Sequence, residues 1–105
     1  MIKELSETVE LMLSEDYKER LRAEYYQLRI RYQKLKNLLD KWNNDELDIE
    51  PSCPKGLLMW QLHDMESYLY HLGERAKYEG IYFELEENEI FKALRNSILS
   101  GGKKK

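Results

Sequence analysis

The chain has 105 residues, 42% of them hydrophobic and 11% aromatic, with a formal net charge of −3. That is one domain at most, too apolar for a disordered chain, and too acidic to act as a general binder of duplex DNA. No apolar run approaches the roughly 18 residues of a membrane span, and the single cysteine, Cys53, excludes an internal disulfide and fits a reducing compartment.

Taken in chain order, residues 2–13 place Leu5, Val9 and Met12 on one helical face, which predicts a short amphipathic helix facing inward. Ser14 reads as an N-cap, with Glu15 and Asp16 in the first turn of a long helix. Leu21, Tyr25, Leu28, Tyr32, Leu35, Leu39 and Trp42 then follow at alternating steps of four and three. That is an unbroken heptad seam, and with no Gly or Pro in 14–43 it predicts a helix of about 28 residues, ~40 Å long. "NNDELDIEPSCP" (43–54) breaks the pattern. Leu58, Leu62, Met65, Leu69, Leu72 and Ala76 repeat the seam on a second helix, which Pro54 opens and Gly80 ends. Two helices of matching period joined by a short linker predict an all-α, antiparallel helical hairpin. "IYFEL" (81–85) reads as extended, followed by a helix capped near Asn88 with Ile90, Phe91, Leu94 and Ile98 inward. The terminal "GGKKK" carries no periodicity. The expected divisions are a short helix in 1–13, the hairpin in 14–80, and a short helix with a lysine-rich tail in 81–105.

Apolar side chains also stand off the seam: Tyr26, Ile30 and Leu38 on the first helix, Leu57, Trp60 and Tyr68 on the second. A helix apolar over more than one stripe is covered on more than one side. The terminal helices account for part of that cover, and homo-oligomerisation is the simplest source of the rest.

Signals for catalysis are almost missing. There is no phosphate-binding glycine loop, nucleophile elbow or HExxH. His63 and His71 are eight apart, where ligands on one helix sit three or four apart, so neither a metal nor another cofactor is expected. Cys53 has no histidine beside it in sequence. The sequence therefore predicts a protein that is not an enzyme. One stretch stands out. "YYQLRIRYQKLKNLL" (25–39) holds three tyrosines, four basic residues (Arg29, Arg31, Lys34, Lys36) and no carboxylate. Residues 14–43 carry eight basic and five acidic side chains inside an acidic chain. Two readings stay open: a helix seam with a solvated flank, or a surface for a flat, anionic ligand.

"DYKERLRAEYYQLRIRYQKLKNLLDKW" and "CPKGLLMWQLHDMESYLYHLGERAKYEGI" resemble a family of small phage and prophage proteins with helices of the form EYxxLxxRYxKL and LLxxQLxxMxxYLxxLxxRA. This is the helical hairpin of the phage anti-CBASS and anti-Thoeris sponge proteins, crAss-phage-related small proteins among them, and the likeness covers about residues 16–81. The resemblance implies a homo-oligomer, most simply a hexamer, that captures a cyclic di- or trinucleotide or a cyclic ADP-ribose-type immune signal in the host cytoplasm without cleaving it. Neither DNA nor a membrane is implied as a partner. It also implies that Tyr25 or Tyr26 stacks a base, that Lys41 or Lys36 meets phosphate, and that Arg75 serves a further nucleotide pocket. Asp40 stands about where the family pattern has its lysine, with Lys41 one step on. Lys41 and Arg75 belong to opposite ends of the expected hairpin, so they serve two sites or one site that spans subunits. The alternative function is a non-catalytic module that binds a host or phage protein through its exposed apolar stripes.

Overall fold

Two residues start the first long helix. The Ser14 hydroxyl accepts a hydrogen bond from the Asp16 N–H at 3.0 Å, and the Asp16 carboxylate accepts one from the Lys18 N–H at 2.9 Å. Asp16, not Ser14, is therefore the N-cap, because its carboxylate reaches an N–H that the helix leaves unpaired. The computed structural model describes residues 2–83, which are helical and contain no strand. A 3₁₀ turn, Leu5–Thr8, runs into α1 (Val9–Met12), followed by α2 (Tyr17–Asn43) and α3 (Lys55–Tyr78). Among the described residues no helix is long and apolar enough to cross a membrane. The helix expected around residues 88–100 lies outside the described residues.

At 27 residues, α2 matches the length that its heptads predict. Contacts between the long helices link Tyr17 to Arg75, Glu24 to Tyr68, Tyr32 to Glu66, and Trp42 to Lys55. Residue numbers thus rise along α2 as they fall along α3. The seam is packed unevenly. Leu21, Tyr25, Leu28 and Tyr32 are buried against Leu69, Leu72 and Ala76, whereas Leu58, Leu62 and Met65 in the first half of α3 are only partly buried.

The N-terminal segment thickens that dense end. Gln27 Nε2 donates to Thr8 Oγ1 at 2.9 Å, and Arg29 Nη2 donates to the Ile2 carbonyl at 2.6 Å. The inward face of this segment is not the expected one. Val9 and Met12 are exposed, while Thr8 is buried and Ile2 and Leu11 pack on the core. The 3₁₀ turn explains the shift, because its period of three aligns Leu5, Thr8 and Leu11 where an α-helix would align Leu5, Val9 and Met12.

Both long helices end in the same hydrogen-bonded turn. Beyond α2, Asp45 has φ +57°, the Asp45 N–H donates to the Trp42 carbonyl, and the Glu46 N–H donates to that of Lys41. Beyond α3, Gly80 has φ +72°, the Gly80 N–H donates to the Lys77 carbonyl, and the Ile81 N–H donates to that of Ala76. This is the Schellman pattern, with Ile81 folded back into the core. Of the expected extended piece, Ile81–Phe83 is non-helical, and the rest lies outside the described residues.

Candidate ligand-binding surface

The tyrosines of the basic stretch turn inward. Tyr25 is 0% exposed and its ring stacks on Phe83, with centroids 3.8 Å apart and planes 21° apart. Tyr26 is also buried and meets both rings edge-on at 5.6 Å, with the Arg22 guanidinium 6.0 Å above its face. Seam position 25 points at α3, so the ring expected to stack a base is occupied by the protein's own aromatics. Tyr32 is also a seam residue, and its hydroxyl donates to Glu66 at 2.8 Å. Arg29 bonds the Ile2 carbonyl.

The two lysines lie along the other half of α2. Lys36 pairs with Asp40 at 3.3 Å. Lys41 is exposed in the last turn, where a cation complements the helix C-terminus. Residues 40–50 hold five carboxylates against Lys41 alone. The neighbouring hollow of about 420 Å³ is lined by Trp42, Asp45, Asp48 and Glu50 among others. Lys55, 5.7 Å above the Trp42 ring, adds a second cation to an end where carboxylates are the more numerous.

Arg75 is placed differently. It lies on the outer face of α3, and its Nη2 donates to the hydroxyl of Tyr17, the first residue of α2, at 2.6 Å. Seven residues along each helix, the Tyr68 hydroxyl donates to the Glu24 carboxylate. The Tyr17 and Tyr68 rings are each 44% exposed. Hydrogen bonding to Glu24, then burial, raises the Tyr68 phenol above its ordinary pKa, so it is a donor at neutral pH. Arg75 rests on a phenol, and the Tyr17 hydrogen bond raises its pKa further, so it stays a full cation. A cation that shares its surface with half-exposed tyrosines can hold a phosphate while a flat group stacks nearby.

Arg75 and Lys41 are not brought together. Arg75 touches residue 17 of α2, and Lys41 follows 24 residues later, ~36 Å along the axis. A second hollow of about 620 Å³ opens beside the dense end, lined by Glu10, Lys18, Glu19, Arg22 and Tyr82 among others. Its charges are mixed.

Tyr17, Glu24 and Tyr68 were not legible as site residues. The only signal is their spacing, Tyr17 with Glu24 and Tyr68 with Arg75, each pair seven apart and off the seam. His63 and His71 are exposed, His63 edge-on to Trp60 and His71 to Tyr70. Among the described residues no three His, Cys, Asp or Glu side chains gather to hold a metal ion.

A family model described as Sequestin matches residues 15–78, which span α2, the linker and α3. No curated protein and no solved structure matches the chain.

Proposed function

The chain belongs to the Sequestin family, and from that premise we propose that it is a phage sponge, sequestering a cyclic nucleotide or cyclic ADP-ribose-type signal in the host cytoplasm without turning it over. The family's description supports sequestration, and the match runs through both long helices and their linker, so the capturing unit of this reading is the antiparallel hairpin. One observation carries the nucleotide reading: exposed Arg75 donates to the hydroxyl of half-exposed Tyr17, with half-exposed Tyr68 seven residues before it on α3. Phosphate meets the guanidinium and a base lies against a ring.

Leu57 and Trp60 leave one face of α3 with an open apolar stripe next to the thin half of the seam, and Met59 is exposed on another. Further copies of the chain cover it, in a dimer-based hexamer. Lys41 then serves either a second site or the Arg75 site of a neighbouring subunit. The same stripe favours one other reading, a module that docks on a host or phage protein through Trp60 and Tyr68.

A thermal-shift screen against cyclic di- and trinucleotides and cyclic ADP-ribose isomers tests the proposal. A captured ligand at 100 times its Kd adds about 2.7 kcal/mol of stability. Arg75→Ala, with assembly unchanged, is expected to weaken binding tenfold or more, about 1.4 kcal/mol. A screen in which no nucleotide shifts the native chain contradicts it. Loss of a host-protein partner on Trp60→Ala would favour the docking module instead.

A further inference from the structure

We infer that Glu24, held by the Tyr68 hydroxyl, reads the ribose hydroxyls of the captured nucleotide while Arg75 holds its phosphate. This inference rests on the nucleotide reading above. Tyr17 and Glu24 are seven residues apart on α2, and Tyr68 and Arg75 are seven apart on α3. The cross-helix bonds run Arg75 to Tyr17 and Tyr68 to Glu24. Cation and carboxylate therefore spring from successive rungs of one surface, their backbone levels about two helical turns or ~10 Å apart along the axis, and the Glu24 charge is felt at Arg75. The span exceeds a lone phosphate and suits a ligand whose anionic and hydroxylated parts are separate.

The chemistry of each rung assigns its partner. An ionised carboxylate only accepts hydrogen bonds, at about four lone-pair positions, and the single Tyr68 hydroxyl uses one of them. Ribose hydroxyls are donors of the kind that remaining capacity takes. A phosphate at the same place meets like charge, so Glu24 confines the anion to the Arg75 rung and fixes which way round the ligand lies. The Tyr68 bond holds the carboxylate in position at the hydroxyl end of a half-exposed ring. As an exposed pair, Tyr68 and Glu24 add little to folding stability, so removing Glu24 leaves a folded chain on which binding can be measured.

The test is calorimetric titration of the full chain, Arg75→Ala and Glu24→Ala with cyclic ADP-ribose and cyclic di-AMP, each beside its 2′-deoxyribose counterpart. The native chain is expected to favour a ribose form over its deoxy form by tenfold or more. Arg75→Ala weakens both forms alike. Glu24→Ala weakens the ribose form alone, so that the two forms bind equally, and leaves the melting temperature of the ligand-free chain unchanged. A ribose preference that survives Glu24→Ala, or is missing from the native chain, overturns the inference; if Arg75→Ala still weakens both forms, the nucleotide reading stands without it. Binding of neither probe by the native chain overturns the inference, and the wider nucleotide screen then decides the reading on which it rests.

Discussion

Inside the α2–α3 seam, Tyr32 is almost fully buried and donates its hydroxyl to Glu66 at 2.8 Å. Burial first, and then the Glu66 carboxylate, push its pKa well above the usual tyrosine range. The folded state thus favours the neutral phenol, whereas an unfolded tyrosine ionises near pH 10. A folded pKa raised above the unfolded one gives stability that is whole below about pH 10 and falls as pH climbs past it. Urea unfolding at pH 7 and above pH 10 is expected to show this loss in the native chain and a smaller one in Tyr32→Phe. At pH 7 the same variant loses about 1 kcal/mol, the worth of the hydrogen bond. Equal alkaline losses in the two proteins would contradict this account of Tyr32. At this scale the heptad placed Tyr25 and Tyr32 correctly in the seam, but it does not say what a seam tyrosine touches. Tyr25 meets Phe83 and Arg29 meets the Ile2 carbonyl, partners 58 and 27 residues away. Local pattern has no reach over such distances.

At the scale of elements, the two end turns offer a matched experiment. Asp45 and Gly80 occupy the same left-handed position after α2 and α3, one with a side chain and one without. A Cβ on Gly80 would meet nothing within 4 Å, so any cost of Gly80→Ala is backbone strain alone, about 1 kcal/mol. Asp45→Gly relieves the corresponding strain and is expected to stabilise by a similar or smaller amount. Chemical denaturation of both variants checks the pair. Two shifts of the same sign would contradict it. Gly80 as a helix end was legible because glycine at that position is a strong local signal. Asp45 was not, since aspartate serves both as a cap and as an ordinary linker residue. The start of α2 moved from Ser14 to Asp16 for a related reason: both are good caps, and two residues separate them. The N-terminal face was misread because apolar spacing alone does not reveal a 3₁₀ turn.

For the molecule as a whole, packing and charge divide the long helix pair into unlike ends. The N-terminal segment, Ile81 and Phe83 thicken the core where α2 begins and α3 finishes, and Arg75 stands on the surface of that end. The linker end is thinner and acidic, and holds Lys41. The paired helices were legible because heptad periods persist over several turns. The surface was not, because it is assembled from two helices whose rungs share no local motif. Of the five residues that the resemblance singled out, Arg75 alone combines exposure with exposed aromatic neighbours from both long helices.

A sponge gives its ligand back intact. To see this, the chain is mixed with cyclic di- and trinucleotides and cyclic ADP-ribose isomers, and the mixture is passed over size exclusion with light scattering. The protein peak is then heated, and the released material is weighed by mass spectrometry. Sequestration is expected to give an oligomeric peak that releases one of these nucleotides at its original mass, and an Arg75→Ala peak that releases at least tenfold less. A native peak without nucleotide, or with one heavier by the water that opens its ring, would contradict it.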